Sequence, residues 1–118
     1  MTYSGDLQIL LDRVKRFVHE RDWEQFHTPK DMAISLSLEA AEVLEHFQWK
    51  NPEEVQTHLS DNKQQVADEL ADVLYWVLLM SDRFDIYIVT ASLRKMDANE
   101  LKYPIEKSKG RHTKYRNL

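Results

Sequence analysis

Apolar residues recur at three- and four-residue steps along most of the chain. Leu7, Leu10, Leu11, Val14, Phe17 and Val18 share one face, which predicts a helix starting near Ser4 or Asp6 and fading at Glu20-Arg21-Asp22. Trp23-Glu24-Gln25-Phe26-His27 has no period and predicts a loop. Thr28-Pro29-Lys30-Asp31 signals a second start: Thr28 can cap, Pro29 suits the first helical position and Asp31 favours the positive end. That helix is predicted to run to about Phe47. Asn51-Pro52 opens a short one, ending near Leu59. Ser60 or Asp61 is expected to cap a long helix with apolar positions at Val66, Leu70, Val73, Leu74, Val77, Leu78 and Phe84. Asp85 is expected to cap the last helix, which runs through Leu101 and stops before Pro104.

Composition sharpens this picture. The chain has 118 residues, enough for one domain spanning 1–118. It has only 2 Gly and 3 Pro, too few for the turns of a sandwich or barrel. The expected class is all-α, with four to five helices. Hydrophobic residues at 42% and charged residues at 31% fit a globular chain rather than a disordered or membrane-spanning one. A net charge of -4 argues against a nucleic-acid binder that works by neutralising phosphates. The absence of Cys excludes disulfides, thiolate zinc sites and a Cys nucleophile. No apolar run is long enough for a bilayer, and Met1-Thr2-Tyr3-Ser4-Gly5-Asp6 lacks a signal-peptide pattern, so the expected location is cytoplasmic. Beyond Ile105 the chain is polar and basic, with Lys107, Lys109, Arg111, His112, Lys114 and Arg116. It reads either as a solvated terminus or as a lid that meets an anion.

Two acidic pairs carry the candidate chemistry: Glu39-Ala40-Ala41-Glu42 and Glu69-Leu70-Ala71-Asp72. Among 20 acids in 118 residues, such spacing arises readily by chance. Placement says more. At about 100° per residue, Glu39 and Glu42 form a narrow stripe. Apolar residues flank it on both sides: Met32, Leu36, Ala40, Val43 and Phe47 on one, Ile34, Leu38 and Ala41 on the other. A helix so widely apolar is expected to be largely buried. Glu69 and Asp72 lie in the same way beside Val66, Leu70, Val73 and Val77, with Trp76 on their stripe. Four carboxylates facing one another would be destabilising without a cation. A hard divalent ion, Mg²⁺ or Mn²⁺, answers that need. The residues alone leave this reading and unrelated surface acids both open.

Trp23, Trp49 and Trp76 read as core packing or, for the first two at element edges, as stacking platforms for a base. Lys95 and Asn99 share a helical face, and Lys95 is either a solvated lysine or a phosphate contact. His27 is an ordinary loop histidine or a donor to phosphate or sugar. There is no glycine-rich phosphate loop, nucleophile elbow or metalloprotease His pair.

Glu39-x-x-Glu42 followed by Glu69-x-x-Asp72 on consecutive long helices resembles the all-α nucleoside triphosphate pyrophosphohydrolases of the MazG type. Arg21-Asp22-Trp23-Glu24-Gln25-Phe26-His27, Phe47-Gln48-Trp49-Lys50, Lys95-Met96-Asp97-x-Asn99 and Tyr103-Pro104 resemble its dCTP pyrophosphatase branch, from about residue 7 to 116. The resemblance implies hydrolysis of dCTP or a related triphosphate to the monophosphate and pyrophosphate, as nucleotide-pool house-cleaning. It implies Glu39, Glu42, Glu69 and Asp72 as Mg²⁺ ligands, with one of them, Glu42 by preference, as general base. It also implies Trp23, Glu24, Gln25, Phe26, His27, Trp49 and Trp76 as the base and sugar pocket, with Lys95 and Asn99 also meeting the substrate. At Trp76 the animal members are expected to carry tyrosine, and their pocket histidine falls near Val14. A homodimer or homotetramer is implied, completing a helical bundle. The rival expectations are a non-enzymatic helical module that binds partner helices, and a dUTP or phosphoribosyl-ATP pyrophosphohydrolase of the same superfamily.

Overall fold

A computed structural model describes residues 2–118, and among them there is no strand. The chain is all-α. Helix α1 spans Gly5–Glu20, α2 Pro29–Glu45, α3 Pro52–Asp61, α4 Lys63–Arg83, α5 Ile88–Lys102 and the one-turn α6 Ile105–Ser108. Two compact units emerge, Met1–Asp85 and Ile86–Leu118. Among the described residues no helix is long and apolar enough to cross a membrane.

Local chemistry explains the helix ends. Thr28 Oγ1 accepts from the Asp31 N–H at 3.2 Å, and Pro29 opens α2. Asn51 and Glu54 satisfy each other's backbone N–H groups in a capping box at the start of α3. Two aspartates take a role that glycine usually fills. Asp22 (φ 55°) and Asp85 (φ 56°) adopt the left-handed conformation just past α1 and α4. A short side chain that bonds locally tolerates that conformation better than most.

Three expectations at the ends need correction. Ser60 and Asp61 belong to α3, and Asn62 stands before α4. Asp85 terminates α4 instead of capping α5, which Tyr87 precedes. Glu24–Phe26 forms a single 3-10 turn where a loop was expected, because the Phe26 and His27 N–H groups reach back to the carbonyls of Trp23 and Glu24.

In the first unit α4 is the central helix, and α1, α2 and α3 all pack on it. Val14 and Val18 of α1 meet Met32 of α2 and Leu79 of α4, with Tyr75, Trp76 and Met80 against this cluster. Each fully buried side chain of this kind is worth about 1.5–3 kcal/mol. Lys15 also reaches Asp82 at 3.6 Å. The expected burial of α2 does not hold within one chain. Met32 is its only buried residue, while Leu38 is 60% and Leu44 56% exposed. One partner helix can cover only one side of a helix whose apolar residues lie on two.

The second unit holds α5, α6 and the C-terminal residues. Tyr115 sits in a final 3-10 turn, edge-on to Tyr103 at 6.0 Å and beneath the Lys102 ammonium. The basic segment is thus folded back on the end of α5 through aromatic contacts.

Candidate functional site

Packing of α2 on α4 brings the two acidic pairs together. Glu39, Glu42, Glu69 and Asp72 each offer a carboxylate oxygen, and these oxygens all lie within 4.8 Å of one another. Glu39 and Glu69 are half-buried, Glu42 and Asp72 exposed. Oε2 of Glu39 and Oε2 of Glu69 are buried without a hydrogen-bond partner. Burial and the Glu42 carboxyl hold the Glu39 pKa above the usual carboxylate range. Glu69 is pushed up to about 7 by a hydrogen bond shared with Glu42, by burial and by the charges of Glu42, Asp72 and Glu39. Crowded carboxylates with stranded oxygens are what a hard cation satisfies. The donor set is all oxygen, so it fits such an ion and not a thiolate- or imidazole-seeking one.

Two of the acids, Glu39 and Asp72, line a groove of about 560 Å³ together with Leu10, Arg13, Val14, Phe17, Trp23, Tyr75 and Trp76. Tyr75 and Trp76 follow Asp72 by three and four residues, one turn along the same face of α4. Their rings meet edge-to-face at 5.0 Å, and Phe17 stands edge-on to both Trp23 (5.5 Å) and Tyr75 (6.3 Å). Trp23 remains 41% exposed at the rim.

The turn at 24–26 is fixed by Arg83, whose guanidinium donates to the Glu24 carbonyl at 3.5 Å and to the His27 carbonyl at 3.1 Å. His27 is 8% exposed, packs on Trp76 at 5.2 Å and has an unpartnered Nδ1. Burial, aided by the Arg83 charge, lowers its pKa, so the ring is neutral near pH 7.

Of the expected pocket residues, Trp23 and Trp76 line the groove, and His27 supports it from behind. Glu24 instead holds His19 at 2.9 Å, Gln25 donates to Asp22, and Phe26 points to solvent. Trp49 lies outside the groove, 86% exposed. Lys95 and Asn99 belong to the second unit. There Lys95 is exposed beside Ile88, Ala91, Ser92 and Met96, and the Asn99 carbonyl accepts from the Tyr103 N–H. Arg13, Phe17 and Tyr75 were not expected at a site. Phe17 reads as ordinary packing in an apolar helix face, and only the position of Tyr75 beside Trp76 hinted at its role.

Comparison with known proteins sets this geometry in a lineage. Residues 34–118 match the MazG-like family. The chain belongs to that family. It is 38% identical to dCTP pyrophosphatase 1 of Bos taurus over 122 residues, covering 98% of this chain and 72% of the bovine protein. It is also 38% identical to dCTP pyrophosphatase 1 of Rattus norvegicus over 104 residues, covering 86% of this chain and 61% of the rat protein. The chain thus spans somewhat under two-thirds of the rat protein's length. The crystal structure of a pyrophosphatase from Archaeoglobus fulgidus superimposes with a TM-score of 0.80 at 40% identity, covering 88% of this chain and 97% of that one. Both acidic pairs of this MazG-like chain fall within the matched residues, whereas α1 and Trp23 precede them.

Proposed function

We propose that this chain is a nucleoside triphosphate pyrophosphohydrolase. It cleaves dCTP or a related (deoxy)nucleoside triphosphate into the monophosphate and pyrophosphate. The observation that carries the reading is the convergence of four carboxylates, two of which, Glu39 and Asp72, line an aromatic groove. The similarity to dCTP pyrophosphatases supports the substrate class.

Glu39, Glu42, Glu69 and Asp72 would hold Mg²⁺, with Mn²⁺ as an acceptable substitute. When bound, the ion offsets the charge of the triphosphate and makes water more acidic. The groove supplies orientation: Trp23 and Trp76 offer faces on which a base can stack, and Tyr75 and Phe17 fix those rings. A base held there leaves the α-phosphate as the phosphate nearest the acids. Water attacks the α-phosphorus, a carboxylate, by preference Glu42, takes its proton, and the bond to the bridging oxygen breaks as pyrophosphate leaves. Lys95 and Asn99 of α5 keep the substrate-contacting roles that the resemblance implies, with Lys95 acting on a phosphate as a point charge. Trp49, Glu24, Gln25 and Phe26 stay assigned to the substrate.

The exposed apolar residues Ile34, Leu38, Leu44, Leu70 and Leu74 of α2 and α4 support a homodimer or homotetramer that completes the bundle. The whole chain then acts as one domain in a cytoplasmic, nucleotide-cleaning enzyme.

A panel of nucleoside triphosphates assayed for released pyrophosphate, with and without chelator, tests this reading. In heavy-oxygen water the label should enter the monophosphate. Label in pyrophosphate, or free phosphate with a diphosphate, would overturn it.

A further inference from the structure

Among the described residues, Arg13 is the one cation whose side chain lines the groove. It lies on α1 one turn from Leu10 and Phe17, which line the same wall. Among the described residues its guanidinium has no hydrogen-bond or ion-pair partner. Its neighbours show the contrast: Arg16 pairs with Glu20, Lys15 with Asp82, and Arg21 with the Phe17 carbonyl and ring. A guanidinium left free beside Phe17, Trp23, Tyr75 and Trp76 has no structural use within the fold.

The groove's other polar groups narrow its role. Arginine and the two indoles are donors only, and Tyr75 can donate. The acceptors, Glu39 and Asp72, belong to the carboxylate cluster. Away from the acids, the walls therefore offer hydrogen bonds chiefly to acceptors. Exocyclic carbonyl oxygens are such acceptors, and cytosine, thymine, uracil and guanine carry them, whereas adenine presents an amino group instead.

We propose that Arg13 is a specificity-determining residue that donates to an exocyclic carbonyl of the bound base, favouring carbonyl-bearing bases over adenine. This rests on the nucleotide-binding reading above. A charged donor in a groove with apolar walls makes a stronger bond than a neutral one, and an amino group facing it would leave both donors unpaired.

The test compares wild type with Arg13→Ala and Arg13→Gln on dCTP, dTTP, dUTP, dGTP and dATP. Arg13→Ala should lower kcat/KM for the four carbonyl-bearing substrates about tenfold or more, mainly through KM, and change dATP little. Arg13→Gln, which keeps an N–H donor, should recover part of the loss. The melting temperature should not move, since the side chain is exposed and free. Equal losses on all five substrates would assign Arg13 to the phosphates and overturn the proposal, as would no loss on any. Binding of the corresponding monophosphates, followed by quenching of tryptophan fluorescence, gives a readout independent of turnover. Base-selective binding lost in Arg13→Ala, in a protein that hydrolyses nothing, would uphold the role of Arg13 and refute the hydrolase reading.

Discussion

The first unit contains two clusters of titratable side chains, and they are built on opposite terms. His46 at the end of α2 meets His58 of α3 through Nδ1 and Nε2 at 2.8 Å, and Asn62 meets the other His58 ring nitrogen at 3.2 Å. Both ring nitrogens of His58 are engaged, and Phe47 packs edge-on against it. Not far along α2, Glu39 and Glu42 face Glu69 and Asp72 with like charge, and two buried oxygens lack partners. A satisfied polar cluster ties elements together. An unsatisfied one costs stability and marks a place where something from outside completes the bonding. The same fold thus separates a structural clasp from a binding centre, and the difference is visible in partners rather than in residue types.

The sharpest way to break that contrast is to neutralise one acid. Glu42→Gln or Asp72→Asn should lower pyrophosphate release by more than about a hundredfold, since a ligand should matter at least as much as its supporting shell. The metal-free variant should melt no lower than wild type, because repulsion among the carboxylates falls. Unaltered turnover, or wild-type turnover that survives excess chelator, would remove the acids from the chemistry.

Next in size is the groove. Trp23→Ala should weaken substrate binding by about 1–3 kcal/mol, with a smaller change in turnover at saturation. A large fall in melting temperature with unchanged affinity would make Trp23 a packing residue. The clasp should respond in the opposite sense: His46→Ala should lower the melting temperature and leave turnover unchanged. Loss of activity without loss of stability would show that the histidines, too, belong to the site.

Sequence periodicity was a good guide to the helices but left the meeting of the two acidic pairs open, and it is the packing of α2 on α4 that brings them together. It misjudged burial for a definite reason. Ile34, Leu38 and Leu44 are apolar, yet they stay 47%, 60% and 56% exposed. Hydropathy registers the wish for a partner and not where the partner comes from. Asp85 misled because an aspartate can end a helix in the left-handed conformation as well as begin one. Arg13 is not singled out by the sequence, because a charged residue on an amphipathic helix looks like solvated surface without the groove beside it. Trp49 shows the converse, a large aromatic near the acids in sequence that stands in solvent in this chain.

The smallest effect, and the most direct reading of the acid cluster's frustration, is the pH dependence of stability without divalent ions. Glu69 has a folded pKa of about 7 against an ordinary 4.5, and Glu39 is raised as well. Between those values the folded chain binds more protons than the unfolded one, so this contribution to stability is present at low pH and is lost as pH rises through about 7. His27 and His58 act the other way. Burial depresses both, so each weakens the fold as pH falls below the ordinary histidine value. The net curve mixes the two trends, and Glu69→Gln separates them. In that variant the loss of melting temperature between about pH 5 and pH 8 should shrink relative to wild type, while the histidine trend at the acid side remains. Mg²⁺ added at pH 8 should restore wild type, because the carboxylates are then ionised and free to bind it, and should do less for the variant. Melting curves for wild type and Glu69→Gln that run parallel from pH 5 to pH 8 would mean that the carboxylates do not strain one another, and the contrast with the histidine clasp would collapse.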